Sequence, residues 1–307
     1  MKIFETLNIS RKFANPVLTI GNYDGIHIGH QKIIEKVARR AREISGTAML
    51  MTFNPHPLSV LKPDTYTRLI TPLHLKKKLI EACGIEVMLL VPFDAAFQNL
   101  TPEMFIKDIL VDRLAVKEVF VGYDFKFGKG GAGTVEMLKR HADAYGFRFK
   151  AIDAITLDGE RIGSNTIRRL IMDGNVEKVA RFLGRPHMIE GIVVKGERRG
   201  IGFPTINLDT FFELVPKNGV YVTEVELKGR RMPSVTNIGF DPTFNGKKFL
   251  METHILNFSG NLYGKEVAIY FHKRIREEMR FKGIDELKER ITKDVTLARD
   301  YFQCMQR

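Results

Sequence analysis

Cysteine is scarce: Cys83 and Cys304 are the only two in 307 residues. That excludes a disulfide framework and points to a reducing compartment, so a cytoplasmic protein is expected. Long apolar runs are missing as well. Stretches such as VMLLVPF at 87–93 have the length of a strand and fall far short of a membrane span, so no membrane partner is expected. The N-terminal MKIFETLNISRKF lacks the apolar centre of a signal peptide, and no secretory leader is expected. Acidic residues are fewer than basic ones, 36 against 48, and the resulting charge of +12 is spread over both halves instead of forming a basic tail. Such a charge suits nucleic acid and small polyphosphates equally. Interleaved aromatic and basic residues of the single-strand-binding kind occur only in KRIREEMRFK at 273–282. An apolar share of 44% with 27% charged residues excludes a disordered chain, and the length allows two domains.

Two periods divide the chain. Up to about residue 155, short apolar runs alternate with amphipathic stretches. VLTI (17–20), TAMLMTF (47–53), VMLLVPF (87–93), KEVFVGYDF (117–125) and RFKAIDAI (148–155) read as strands. In HQKIIEKVARRARE, Ile33, Ile34, Val37, Ala38 and Ala41 fall on one helical face. TPLHLKKKLIEAC and TPEMFIKDILVDRL both open on Thr-Pro, which predicts a threonine cap with proline at the first helical position. The alternation predicts a parallel sheet covered on both faces, with its site at the carboxyl ends of the strands. After Gly184 the chain turns β-rich. GVYVTEVELKG, KFLMETHILNF and KEVAIYFHKR are joined by turn signals, which predicts an antiparallel barrel or sandwich. A closing helix carries Ile284, Leu287, Ile291, Val295, Ala298 and Phe302 as a stripe, with Glu286/Arg290 and Glu289/Lys293 as i,i+4 pairs. The expected domains are 1–185, α/β and Rossmann-like, and 186–307, a small antiparallel β-barrel with a C-terminal helix.

The first βα turn reads GNYDGIHIGH (21–30). A zinc site needs three or four ligands, and neither a nearby cysteine nor an HExxH string supplies the rest. A helix N-terminus offers unpaired N–H groups to anions, and Gly21, Gly25 and Gly29 let a ligand approach the backbone. Imidazoles add further donors, so the loop suits the phosphates of a nucleotide. HIGH also occurs in class I aminoacyl-tRNA synthetases, but no KMSKS-like loop follows. GKGGAG (128–133) matches the dinucleotide fingerprint literally, yet it follows the fourth of the strands read here, whereas the fingerprint belongs to the first βα turn. A Walker A string is absent.

Further segments extend the pattern. TIGNYDGIHIGHQ (19–31), TFNPHP (52–57), VGYDFKFGKGGAG (121–133) and RIGSNTIRRLI (161–171) lie in the first half. GFPTINL (202–208), NGVYV (218–222), TNIGFDPTF (236–244), METHILNFSGNLYG (251–264) and RIREEMRFKGIDEL (274–287) lie in the second. In this order and spacing the chain resembles the bacterial bifunctional riboflavin kinase/FMN adenylyltransferases from end to end. The resemblance implies riboflavin, FMN and ATP as small-molecule substrates, Mg²⁺ accompanying ATP, and no nucleic-acid partner; it leaves the oligomeric state open. In the first half it implies that His27 and His30 contact the ATP phosphates and that Gly21, Asn22, Asp24 and Gly29 shape the loop. Ser164 and Arg168 would hold the triphosphate, and Asn54, His56, Asp124 and Phe127 would stand on the flavin side. Phe127 also reads as ordinary core packing.

In the second half the resemblance implies that Thr205 and Asn207 hold Mg–ATP, with Gly196 in the ATP loop. Glu252 would be the general base, and Arg276 and Phe281 would form a flap over the flavin. Three departures stand out. Tyr23 replaces the usual phenylalanine, and IGSNTIR replaces ISSTxIR. KGERRGIGFPT is two residues shorter than the usual Gly-rich loop, so that Arg198 or Arg199 would have to stand in for a missing arginine. An alternative is therefore an FMN adenylyltransferase whose second module binds flavin without catalysis. A second alternative is a basic RNA-associated protein with a synthetase-like HIGH domain.

Overall fold

Apolar runs long enough to be buried on both faces open the first unit. The computed structural model describes residues 1–9, 12–65, 68–196, 202–241 and 248–305. Packing divides the chain into Met1–Ser164 and Asn165–Arg307. The first unit runs β1 (Lys2–Phe4), β2 (Val17–Ile20), α1 (Ile28–Glu43), β3 (Ala48–Asn54), α2 (Pro57–Leu61), α3 (Leu73–Ala82), β4 (Val87–Pro92), α4 (Ala95–Gln98) and α5 (Pro102–Met104). A π-helical stretch, Phe105–Arg113, continues α5. Then come β5 (Glu118–Gly122), α6 (Val135–Tyr145), β6 (Arg148–Ile152) and a small hairpin, β7 (Thr156–Leu157) and β8 (Glu160–Arg161).

The main sheet is parallel throughout, in the order β1-β4-β3-β2-β5-β6. Strand β2 sits where the winding reverses: the chain builds β3 and β4 on one side of it, then crosses to β5 and β6 on the other. Such a reversal opens a crevice at the carboxyl end of the strand, and here that end leads into Gly21. Alternation serves two cores. Leu18, Met49, Met51, Leu89 and Val119 face Phe105, Ile109 and Leu138. Val17, Leu50, Met88 and Phe120 face Ile34, Val37 and Ile80.

Some local expectations needed correction. Edge strand β1 is too short to show a period, yet it pairs with β4. Helix α1, by contrast, starts at Ile28, inside the GNYDGIHIGH turn expected to lead into it. Thr101 caps α5 through Met104 N–H as its Thr-Pro predicts, but Thr71 does not cap α3. The cap position there is Pro72, with no side-chain bond, so Thr71 stands one residue ahead of the cap, where its N–H donates to Asp24.

The second unit holds α7 (Ser164–Met172, from Asn165 onward), α8 (Val176–Leu183), β9 (His187–Val194), β10 (Ile206–Asp209), β11 (Gly219–Leu227), β12 (Arg230–Asp241), β13 (Lys248–Ile255), β14 (Glu266–Arg276) and α9 (Ile284–Met305). Its six strands close an antiparallel barrel in the order β10-β13-β12-β11-β14-β9, which removes exposed edges. The hydroxyls of Thr223, Ser234, Thr236 and Thr253 are all buried and bond one another at 2.8–2.9 Å. Val295 and Ala298 of α9 pack on Val220, Val222 and Val235, but Ile284, expected in that stripe, is 56% exposed at the helix start. Glu289 pairs with Lys293 as read. Arg290 instead meets Asp294 at 3.3 Å, while Glu286 accepts from the Lys282 N–H.

Candidate active site

The GNYDGIHIGH loop is held by its own side chains. His27 caps α1, its Nδ1 accepting the His30 N–H at 3.2 Å, a contact worth about 0.5–2 kcal/mol to a helix. An Nδ1 that accepts leaves the proton of the neutral ring on Nε2. The ring of His30 stacks on that of His27, centroids 3.6 Å apart. A Cβ on Gly29 would stand 3.0 Å from His27 Nδ1, so a glycine there leaves the stack room. Gly25 lies at φ +87°, and Tyr23 and Ile26 also take left-handed backbone, at +49° and +40°. Non-glycine residues rarely adopt that conformation unless their surroundings hold them in it. Tyr23 is so held: it is buried and its hydroxyl bonds Thr19. The hydroxyl that separates it from the usual phenylalanine thus has a partner.

Asp24, 1% exposed, accepts the N–H groups of Ile70 and Thr71 at 3.1–3.2 Å. Ser164 Oγ donates to the Asp24 carbonyl at 2.9 Å, bringing the last residue of this unit onto the loop. The Asn22 carbonyl accepts from Thr52 Oγ1 at 3.1 Å and from Lys76 Nζ at 2.9 Å. Lys76 was not singled out from the sequence. Its signal is a lysine at i−4 from Ile80, on the face of α3 that turns out to be buried. His30 is held well below the ordinary histidine range, first by burial, then by the charges of His27 and Lys76. Its Nδ1 is buried and has no hydrogen-bond partner among the described residues. A neutral imidazole, backbone amides and a nearby ammonium make a set of donors suited to phosphate oxygens.

Other candidates of this unit lie at the strand ends. Asn54 ends β3 and precedes a cis proline. His56 repeats the device of His27, capping α2 with Nδ1 on the Leu58 N–H. Asp124 is exposed and pairs with Arg161 at 2.5 Å, and Arg161 also covers the Tyr123 ring. Phe127 is buried in the core, its ring 5.3 Å from that of Phe105. GKGGAG forms no strand-to-helix phosphate turn. Lys129–Gly131 make one 3-10 turn, and Phe127 and Gly133 pair across it.

In the second unit Arg168 is buried on α7, its Nη1 donating to Asn165 Oδ1 at 2.7 Å. The asparagine that departs from the family pattern therefore orients the arginine. Three oxygen-bearing side chains share a row across the barrel: Glu252 of β13 lies opposite Asn207 of β10 on one side and Asn237 of β12 on the other. Residues directly opposite in antiparallel strands project from the same face. Thr205, just before β10, is exposed, whereas Asn207 is buried. A Cβ on Gly196 would lie 1.8 Å from Asn207 Nδ2, so Gly196 is a bare cradle for that amide. His254, two residues from Glu252, donates from Nδ1 to the Pro204 carbonyl at 2.8 Å and tethers the GFPT segment to β13.

Arg276 is already engaged. Its Nε and Nη2 bond Asp294 at 2.8–3.2 Å and its Nη1 the Glu277 carbonyl, while Phe281 stands 5.8 Å from the guanidinium. Arg198 and Arg199 lie outside the described residues, as does the end of TNIGFDPTF.

An α/β unit with a histidine-capped, glycine-rich loop at its strand reversal, followed by a closed barrel with a row of oxygen-bearing side chains, is an architecture suited to a two-module transferase. Comparison with known proteins agrees. The FAD synthetase family model matches residues 10–166 and the riboflavin kinase model residues 183–302. The bifunctional riboflavin kinase/FMN adenylyltransferase of Escherichia coli K12 is 38% identical over 93% of this chain and 92% of its own length. The protein of the same name from Bacillus subtilis 168 is also 38% identical, over 96% and 95%. A crystal structure titled macrolide-efflux protein, from Streptococcus pneumoniae, matches with TM-score 0.89 and 29% identity over 97% of this chain and 98% of that one. Among the described residues no helix is long and apolar enough to cross a membrane. The chain belongs to the bifunctional riboflavin kinase/FMN adenylyltransferase family, and it is a transferase.

Proposed function

We propose that the chain phosphorylates riboflavin with ATP to give FMN and ADP in residues 186–307. It then adenylylates FMN with a second ATP, giving FAD and pyrophosphate, in residues 1–185. The observation that carries the second reaction is the stacked His27–His30 pair, whose Nδ1 cap leaves a proton on His27 Nε2 at a helix N-terminus. In that reaction a phosphate oxygen of FMN bonds to the α-phosphorus of ATP. The bond from that phosphorus to the bridging oxygen breaks, and pyrophosphate leaves with the electron pair. No acid–base pair is needed; alignment and charge neutralisation are. His27 and His30 contact the phosphates and Ser164 holds the loop, while Asn54 and His56 stand toward the flavin.

For the kinase, the hydroxyl of Thr205 and the amide of Asn207 are neutral oxygen donors of the kind Mg²⁺ accepts when phosphates and water complete its shell. The Gly196 cradle, which fixes that amide, supports the fit. Bound there with ATP, the ion would neutralise phosphate charge. Glu252 takes the proton from the riboflavin hydroxyl, and His254 keeps Pro204 and Thr205 in place. Both cysteines are thiols, in keeping with work in the cytoplasm.

The test is chromatography of the flavins formed from riboflavin, and separately from FMN, with ATP and Mg²⁺. The expected products are FMN plus FAD in the first assay and FAD in the second. FAD from FMN without FMN from riboflavin would leave the barrel a flavin-binding module. No FAD in either assay would falsify the reading of the first unit.

A further inference from the structure

Lys76 lies beside the histidine loop but has no step of the reaction assigned to it so far. It is 5% exposed in α3, on the face that also buries Ile80, where the helical repeat calls for an apolar side chain. A lysine is seldom buried unless its charge is used, because desolvating an ammonium is costly. Burial lowers its affinity for a proton and the Asp24 carboxylate opposes that effect. Among the described residues its hydrogen-bond acceptor is the Asn22 carbonyl, which Thr52 Oγ1 also uses. An ammonium has three N–H donors, more than one carbonyl employs.

The same charge acts on the His30 ring, whose buried Nδ1 is unpartnered. Two under-used polar groups therefore stand beside one glycine-rich loop at a helix N-terminus. Their shared need is an oxygen-rich anion. A compact point charge that needs no fixed fork geometry suits a group whose charge moves during reaction.

We propose that Lys76 is a catalytic residue of adenylyl transfer: its ammonium contacts the β- and γ-phosphate oxygens of ATP and offsets the charge that gathers on pyrophosphate as the bond to the α-phosphorus breaks. No proton moves in this step. The proposal rests on the reading of the first unit given above.

Lys76→Met and Lys76→Arg in the full chain test it, with riboflavin phosphorylation by the same molecules as the internal control and inorganic pyrophosphate as the probe. Lys76→Met should lower kcat for FAD formation about 100-fold, the scale for losing one preorganised donor. It should raise the pyrophosphate concentration needed for half-inhibition about tenfold, the equivalent of about 1.4 kcal/mol, and leave KM for FMN nearly unchanged. Lys76→Arg should restore part of the rate. Slower FAD formation with unaltered pyrophosphate inhibition would make Lys76 a clamp on the loop and overturn the proposal, as would a variant equal to the parent. Should Lys76→Met not fold by circular dichroism, the neutral but polar Lys76→Gln decides: weakened pyrophosphate inhibition supports the contact and unchanged inhibition overturns it. A parent chain that makes no FAD from FMN would instead remove the underlying reading of the unit.

Discussion

Replacing Gly196 by alanine adds one methyl group and tests how the kinase holds its nucleotide. That methyl carbon would stand 1.8 Å from Nδ2, 2.5 Å from Cγ and 3.0 Å from Oδ1 of Asn207. Ordinary contact begins near 3.4 Å, so the amide must withdraw by more than 1 Å or the β9–β10 connection must open. Asn207 has little room to withdraw: it is buried, and β10 is held by β9 on one side and β13 on the other. A shift of about 1 Å in a positioning group costs about 100-fold in rate, and that is the loss expected in riboflavin phosphorylation. FAD formation from supplied FMN should stay within about twofold, because the substituted residue belongs to the other unit. Steady-state assays of the two reactions on one preparation make the comparison, and circular dichroism checks that the barrel is intact. A Gly196→Ala chain that phosphorylates riboflavin at the parental rate would refute the reasoning, since Asn207 could then not be needed where the structure places it.

His30→Ala should abolish FAD formation and leave FMN formation nearly intact; equal loss of both would mean that the two modules fail together. Glu252→Gln should cut riboflavin phosphorylation by about 10²–10⁴, the usual worth of a general base, with FAD from FMN as the control. His187, buried on β9, should make the second unit acid-sensitive. Burial, helped by the charge of Arg185 and opposed by a backbone hydrogen bond with Leu214, pushes its pKa from 6.5 down to about 4. Between those values the unfolded chain binds a proton that the folded chain refuses. The contribution is therefore fully present above about pH 6.5 and is lost as pH falls, the loss reaching about 3 kcal/mol by pH 4. Urea unfolding from pH 7 to pH 4 should show a decline that His187→Leu flattens; the same slope in both proteins would show that other groups set it.

Several features were legible in the chain because they depend on neighbours along it. The βαβ rhythm, the face of α1 and the cap at Thr101 follow from spacing alone. So does a glycine-rich loop at the end of β2 leading into a helix, because glycines before a helix are a local signal. Edge strand β1, three residues long, exists only because β4 is there to pair with it. Asp24 read as a loop residue, but its partners are 46 and 47 residues further on. Arg276 looked available for a ligand until Asp294, eighteen residues later, took its guanidinium. Lys76 was one of three consecutive lysines, and nothing local marked which of them the fold would bury.

The order of motifs, the two periods and the glycine spacing were enough to determine a parallel α/β module with a glycine-rich loop after its first long strand and a β-rich module after it, since each depends on side chains within a turn or a strand of one another. Closure of the barrel, the alignment of Asn207, Glu252 and Asn237 across three strands, and the meeting of Lys76 with the histidine loop were decided only in three dimensions. These depend on which distant backbones pair and which polar groups are left buried together, and a linear pattern does not carry that information.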